Sequence, residues 1–182
     1  MKKHHRSMVD LLKEKFGEQE SIVGVEVGVS HGNLSVALLT SLPQLKLYMV
    51  DPYENLEEGA NPTMFVTSGQ AKMERECATN ATLFAESRRE VLQMFSVPAA
   101  VYLANKMTID FVFVDANHMY DPVKEDIEAW YPLIRQGGVI SGHDYNGMGD
   151  KRKGWGVKRA VDEKFGSKVN VLHGLVWWVE KE

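Results

Sequence analysis

The stretch Ile109-Asp-Phe-Val-Phe-Val-Asp115-Ala-Asn-His118 reads as a buried strand that ends in a carboxylate and then an imidazole. A second apolar run, Gly138-Val-Ile-Ser-Gly-His143-Asp144-Tyr145, ends the same way. Two neighbouring parallel strands that each deliver an acid and a histidine at their C-terminal ends build one polar site. In open α/β sheets that edge is where ligands bind. The chemistry open to such a group is metal binding or proton transfer, since imidazole titrates near working pH. Taken singly, an acid after a strand more often caps a helix and a histidine more often packs. The inference rests on four such groups at two strand ends.

The elements that must position them alternate regularly. An amphipathic helix is predicted over Met8 to Phe16, with Ser7 as N-cap, Met8, Leu11, Leu12 and Phe16 on one face, and Gly17 past the end. Strands are predicted over Ser21 to Val27, Leu45 to Asp51, Val91 to Phe95, Asp110 to Val114 and Val139 to Ser141. Helices fit between them at Asn33 to Ser41, Met73 to Glu86, Pro98 to Asn105 and Pro122 to Ile134. The last has Asp121 as N-cap, proline at N1, a stripe of Val123, Ile127, Trp130 and Ile134, and a stop at Gly137-Gly138. Cys77 falls on a stripe with Met73 and Phe84 and reads as a packing residue. After a helix at Val157 to Phe165, Val169 to Val179 forms two strands around His173-Gly174, an antiparallel hairpin at the sheet's far edge. The fold expected is one α/β domain over residues 1–182: a three-layer α/β/α, Rossmann-like, doubly wound and mostly parallel sheet with a C-terminal antiparallel hairpin. Residues 52–69 are irregular and suit a lid or substrate loop, and Asn146 to Trp155, glycine-rich and basic, is a second rim.

Gly24-Val-Glu26-Val-Gly28-Val-Ser30-His-Gly32-Asn-Leu-Ser35 closes the first strand and opens a helix. Its glycines let backbone pass close to a ligand, and the helix N-terminus offers unpaired N–H groups. The spacing of Gly28 and Gly32 is not that of the dinucleotide fingerprint, and Glu26 would repel a pyrophosphate. A cofactor that is cationic or zwitterionic at this point fits better. Asp51, at the end of the second strand, is placed to accept hydrogen bonds from ribose hydroxyls. Together these residues resemble the class I S-adenosylmethionine-dependent methyltransferases. The resemblance implies that Glu26, Gly28 and Ser30 line the amino-acid and sulfonium part of the cofactor and that Asp51 holds the ribose. It also implies that Ser96 approaches the adenine and that Asp115 borders the cofactor.

The motifs after the fourth and fifth strands resemble one branch of that class, the small metal-dependent O-methyltransferases of methyltransferase family 24. That resemblance implies a divalent cation, magnesium or manganese, held by Asp115, His143 and Asp144, with His118 as general base. Its chemistry is coherent, because a divalent cation lowers the pKa of a bound hydroxyl and orients it. Magnesium prefers oxygen ligands, so either His143 stands behind the ligands or a softer ion such as manganese is accommodated. The function implied is O-methylation of a small hydroxylated molecule, a sugar or natural product. The rivals are a methyltransferase-fold enzyme that uses the metal for hydroxylation or hydrolysis, a nucleic-acid methyltransferase, and a non-catalytic cofactor-binding protein.

Composition narrows the partners. Across 182 residues, 21 basic against 25 acidic side chains leave a formal charge of −4, so no global positive field favours nucleic acid. The strand-four motif Asp115-Ala-Asn-His also lacks the proline pair and aromatic of the nucleic-acid enzymes. The basic runs Lys2-Lys3-His4-His5-Arg6 and Lys151-Arg152-Lys153 read as a solvated terminus and a solvated loop. A single cysteine excludes an intrachain disulfide, and no run is long enough to span a bilayer, so a cytoplasmic enzyme with no membrane partner is expected. About twenty residues precede the first strand, too few for a substrate domain, so the pocket is either open or closed by a second subunit in a homodimer.

Overall fold

Runs such as Ile22–Val27 and Ile109–Val114 carry no polar stripe, and both bury nearly every side chain, as strands covered on two faces must. The computed structural model describes residues 1–54 and 67–182. Strands β1 (Ile22–Val27), β2 (Leu45–Val50), β3 (Arg89–Leu92), β4 (Ile109–Val114) and β5 (Ile134–Gly142) run parallel. The hairpin β6 (Asn170–Leu172) and β7 (Val176–Glu180) completes the sheet, with β7 antiparallel to both β5 and β6. The order is β3-β2-β1-β4-β5-β7-β6, the mostly parallel sheet with an antiparallel edge that was expected.

Helices α1 (Lys3–Phe16), α2 (Asn33–Ser41) and α3 (Ser68–Ala81) share one core with Phe111 and Phe113. On the other face α4 (Ser96–Leu103), α5 (Tyr120–Trp130) and α7 (Val157–Phe165) pack around Trp130 and Trp177. A short helix, α6 (Gly147–Lys153), follows β5. The strand order reverses between β1 and β4, which opens a crevice at their C-terminal ends. Backbone hydrogen bonds continue past the strands there: Asp115 donates to Val27 at 2.8 Å and His143 to Val114 at 3.2 Å. The two acid–histidine motifs are thereby held side by side.

Several boundaries differ from expectation for physical reasons. Helix α1 starts at Lys3, so Ser7 lies inside it and its hydroxyl donates to the His173 carbonyl instead of capping. The Lys2-to-Arg6 run is therefore not a free terminus. Helix α3 ends at Ala81 and a 3-10 turn over Leu83–Arg88 follows; the stripe of Met73 and Cys77, and Phe84 in that turn, are exposed, and the helix packs through Ala71 and Ala78. A Cβ on Gly32 would lie 3.0 Å from Ala78, an approach that only small residues allow. Helix α5 begins at Tyr120 and not after an Asp121 cap; the Asn117 side chain accepts from Met119 N–H instead. It ends at Trp130 because Pro132 cannot continue the ladder, and Ile134 already belongs to β5. The loop expected over residues 52–69 falls largely outside the described residues. No helix among the described residues is long and apolar enough to cross a membrane.

Candidate active site

A cavity of about 680 Å³ opens at the C-terminal edge of β1, β2 and β4, within the range of small-molecule sites. Glu26, Gly28, Ser30, Asp51, Ser96 and Asp115, the residues predicted for a cofactor, all line it. Gly28 has a φ of +86°, and a Cβ there would fall 2.2 Å from the Asp115 carbonyl oxygen. The turn after β1 thus touches the chain after β4, a contact only glycine permits. Asp51 has a second job besides facing the cavity. Its carboxylate accepts from Val29 and Ser30 N–H at 2.9 and 3.0 Å and from Tyr53 N–H at 2.9 Å. It therefore fixes the shape of the turn: Oδ2 takes both Val29 and Ser30, while Oδ1 takes Tyr53 and keeps a further lone pair for a ligand.

Glu26 is 2% exposed and accepts from the Ser35 hydroxyl at 2.5 Å. Burial pushes its carboxyl up to about 8; the Ser35 hydroxyl works against that, and the charges of Asp115 and Asp51 add to it. The folded protein holds a proton that an unfolded carboxyl releases near 4.5. Stability tied to Glu26 is therefore complete below that pH and is lost as pH rises through about 8. Glu26→Gln stays neutral and still accepts from Ser35. In urea unfolding of the ligand-free protein it is expected to gain on wild type, by on the order of a few kcal/mol, between about pH 5 and pH 9. Parallel pH profiles for the two proteins would refute the assignment.

Across the cavity Ser96 accepts from Trp130 Nε1 at 2.9 Å, and the buried Asp126 lines the same wall. Burial pushes the Asp126 carboxyl up to about 6, against the pull of Ser96. Sequence reasoning passed over Asp126. The signal was present, since an acid at this position shares the helical stripe of Val123, Ile127 and Trp130.

The acid–histidine motifs meet beside this cavity. Asp115, His118 and Asp144 each offer a ligand atom within 4.8 Å of the others. His118 Nε2 lies 2.9 Å from an Asp144 oxygen and 3.5 Å from an Asp115 oxygen. Those are ion-pair distances, yet this buried nitrogen is not aligned for a hydrogen bond to either carboxylate. His143 joins the same group, with Nδ1 3.1 Å from Asp144 and 3.9 Å from Asp115. Its Nε2 stands 2.9 Å from the Gly174 carbonyl, which can only accept, so the proton belongs on Nε2. Nδ1 is thereby turned toward the carboxylates: protonated, it donates to Asp144, and once deprotonated it can ligate a metal, the arrangement of a histidine whose far nitrogen is held by a backbone carbonyl.

Charge in the site is strongly coupled. Burial disfavours the imidazolium of His118, but the Asp115 and Asp144 carboxylates outweigh burial and push it up to about 9. Asp144 is the reverse case: burial would raise its carboxyl, and His118 and His143 hold it below the usual range. The His118 ring also stacks on Trp155, with centroids 4.5 Å apart, so the second predicted rim supplies a wall for the histidine. Two carboxylates, two imidazoles and an unaligned buried nitrogen suit a divalent cation of intermediate softness.

A seven-stranded sheet of this order, with its penultimate strand in sequence at the edge and a cofactor crevice at the β1/β4 reversal, defines the class I methyltransferase architecture. The family-24 methyltransferase domain matches residues 25–145, and the chain belongs to that family of S-adenosylmethionine-dependent methyltransferases. No curated protein matches the chain. Among solved structures it is similar to the O-methyltransferase TomG from Streptomyces achromogenes, involved in tomaymycin synthesis, in complex with S-adenosylmethionine. That likeness has 17% identity and a TM-score of 0.69, covering 98% of this chain and 80% of the other. An O-methyltransferase from Bacillus cereus bound to S-adenosylhomocysteine has 17% identity and a TM-score of 0.66, over 100% and 82%. CalS11, a TDP-rhamnose 3′-O-methyltransferase of calicheamicin biosynthesis, has 16% identity and a TM-score of 0.64, over 98% and 81%. At these identities the likeness establishes the fold.

Proposed function

We propose that this methyltransferase transfers the methyl group to a hydroxyl of a small molecule, with a divalent cation held by Asp115, Asp144 and His143 and with His118 as the general base. The observation that carries the reading is the convergence of those four groups beside the cavity that Glu26, Gly28 and Asp51 line, with Asp115 shared between the cluster and the cavity wall. S-adenosylmethionine supplies an electrophilic methyl on sulfur, and the cation makes a neighbouring hydroxyl more acidic. The residues do the rest. Glu26 and the turn held by Asp51 set the cofactor's amino-acid end. Asp115 spans both halves of the site, bordering the cofactor and reaching His118. Methyl transfer breaks a carbon–sulfur bond, forms a carbon–oxygen bond and releases one proton, which His118 accepts at Nε2. Trp155 holds the imidazole ring flat for that exchange.

The test is direct. Protein, S-adenosylmethionine and a panel of sugars and phenols are incubated with manganese or with a chelator, and S-adenosylhomocysteine is measured. Acceptor-dependent release that the chelator abolishes is the expected result. Release that is indifferent to the chelator would remove the cation from the reading, and release without any hydroxylated acceptor would remove the O-methylation.

A further inference from the structure

The cavity runs past the cofactor residues to the first turn of α1, where His4, His5 and Lys2 line its wall. His5 is 7% exposed, and the His4 ring lies 4.3 Å from the rings of both His5 and His143. Among the described residues, histidine side-chain hydrogen bonds involve His31 and His143, so the rings of His4 and His5 face the cavity with donors and acceptors to spare. This helix end is firmly placed. The Ser7 hydroxyl donates to the His173 carbonyl at 2.7 Å, and a Cβ on Gly174 would fall 2.9 Å from the His4 nitrogen. Met8, Leu12 and Phe16 anchor the same helix in the core. Sequence reasoning read the run as solvated, although His5 shares the apolar stripe of Met8, Val9 and Leu12.

The chemistry of this wall selects for an uncharged partner. A neutral imidazole donates one hydrogen bond and accepts another, the same pair that a hydroxyl group returns. Burial, with His4 and Lys2 alongside, pushes His5 down to about 4, so its ring is neutral near pH 7. The cavity meanwhile carries acids at Asp51, Glu54, Glu74, Asp115 and Glu125 against Lys2, a balance that disfavours an anionic partner.

We propose that His4 and His5 form the acceptor-recognition wall of the site and select an uncharged polyol, a sugar-like molecule with a second hydroxyl beside the one that reacts. This rests on the O-methylation reading and names its substrate class. The test uses wild-type protein loaded with S-adenosylhomocysteine, a panel of neutral methyl glycosides and glucuronate as the anionic probe, read by saturation-transfer NMR. At least one glycoside is expected to bind at least about tenfold more tightly than glucuronate, and His5→Ala and His4→Ala to weaken it about tenfold or more. His5→Asn, which keeps a donor and an acceptor, is expected to recover part of the loss. The ¹⁵N resonances of the wild-type His4 and His5 rings are expected to shift with the glycoside, a readout that needs no variant. The proposal is overturned if no glycoside binds, if glucuronate binds as well, or if the rings and variants are indifferent. S-adenosylhomocysteine affinity should be unchanged in every variant; failure of the wild type to bind it would count against the parent reading instead.

Discussion

Asp144→Asn is expected to lower kcat/KM for methyl transfer by on the order of a hundred- to a thousandfold, with S-adenosylhomocysteine affinity within about threefold of wild type. Asparagine is the variant of choice because Asp144 holds a φ of +57°, a region asparagine enters more readily than alanine. The prediction follows from position. An Asp144 oxygen stands 2.9 Å from His118 Nε2 and 3.1 Å from His143 Nδ1, and both imidazoles keep its carboxyl ionised. Removing that charge withdraws a cation ligand and the partner of two histidines at once. Asp144 does not line the large cavity, whose wall Asp115 supplies, so cofactor binding should be spared. Initial rates with saturating manganese and calorimetric titration of the cation check both halves. Activity within tenfold of wild type would sink the assignment.

The second large effect is expected from His118→Gln: a fall in kcat of about a hundred- to ten-thousandfold, the usual contribution of a positioned base, with cation affinity nearly kept. This separates a base from a ligand, since His118 also lies within the cluster that could hold the ion. A large loss of cation affinity would make His118 a ligand. Proton release adds an independent readout. Asp115 and Asp144 push His118 up to about 9 in the cation-free protein, and a cation that draws off their charge relieves that. Titration of manganese near pH 8 is therefore expected to release up to about one proton from wild type and less from His118→Gln, seen as buffer-dependent enthalpy. Equal release from the two proteins would contradict the coupling.

What could be read in the sequence follows from how local the physics is. Strand ends that switch from Val and Phe to Asp and His within four residues reveal themselves without tertiary knowledge, and Asp115, His118, His143 and Asp144 do meet. The Glu26-to-Gly32 turn is local as well. Element ends were less readable where a distant partner decides them. The Ser7 hydroxyl is claimed by His173, and the α3 helix is turned by its contact with Gly32, so neither follows from its own segment. The role of His4 and His5 needed the same kind of knowledge, because their neighbours His143 and Gly174 lie at the opposite end of the chain. The Asp51 carboxylate sits between these cases: its placement was readable, while its three backbone bonds depend on the turn being folded.

The His173-Gly174 turn ties the first and last parts of the polypeptide together, receiving Ser7 on one carbonyl and His143 on the next. Partners so far apart along the chain must close a very large loop, an entropic cost met only when the surrounding sheet is already in place. During synthesis the growing chain can complete β1 to α5, which carry the predicted cofactor residues and the Asp126 wall, before Gly174 exists. Orientation of His143 has to wait for the residues around Gly174 to leave the ribosome. Cofactor binding and methyl transfer should therefore arise at different moments in the life of a nascent chain.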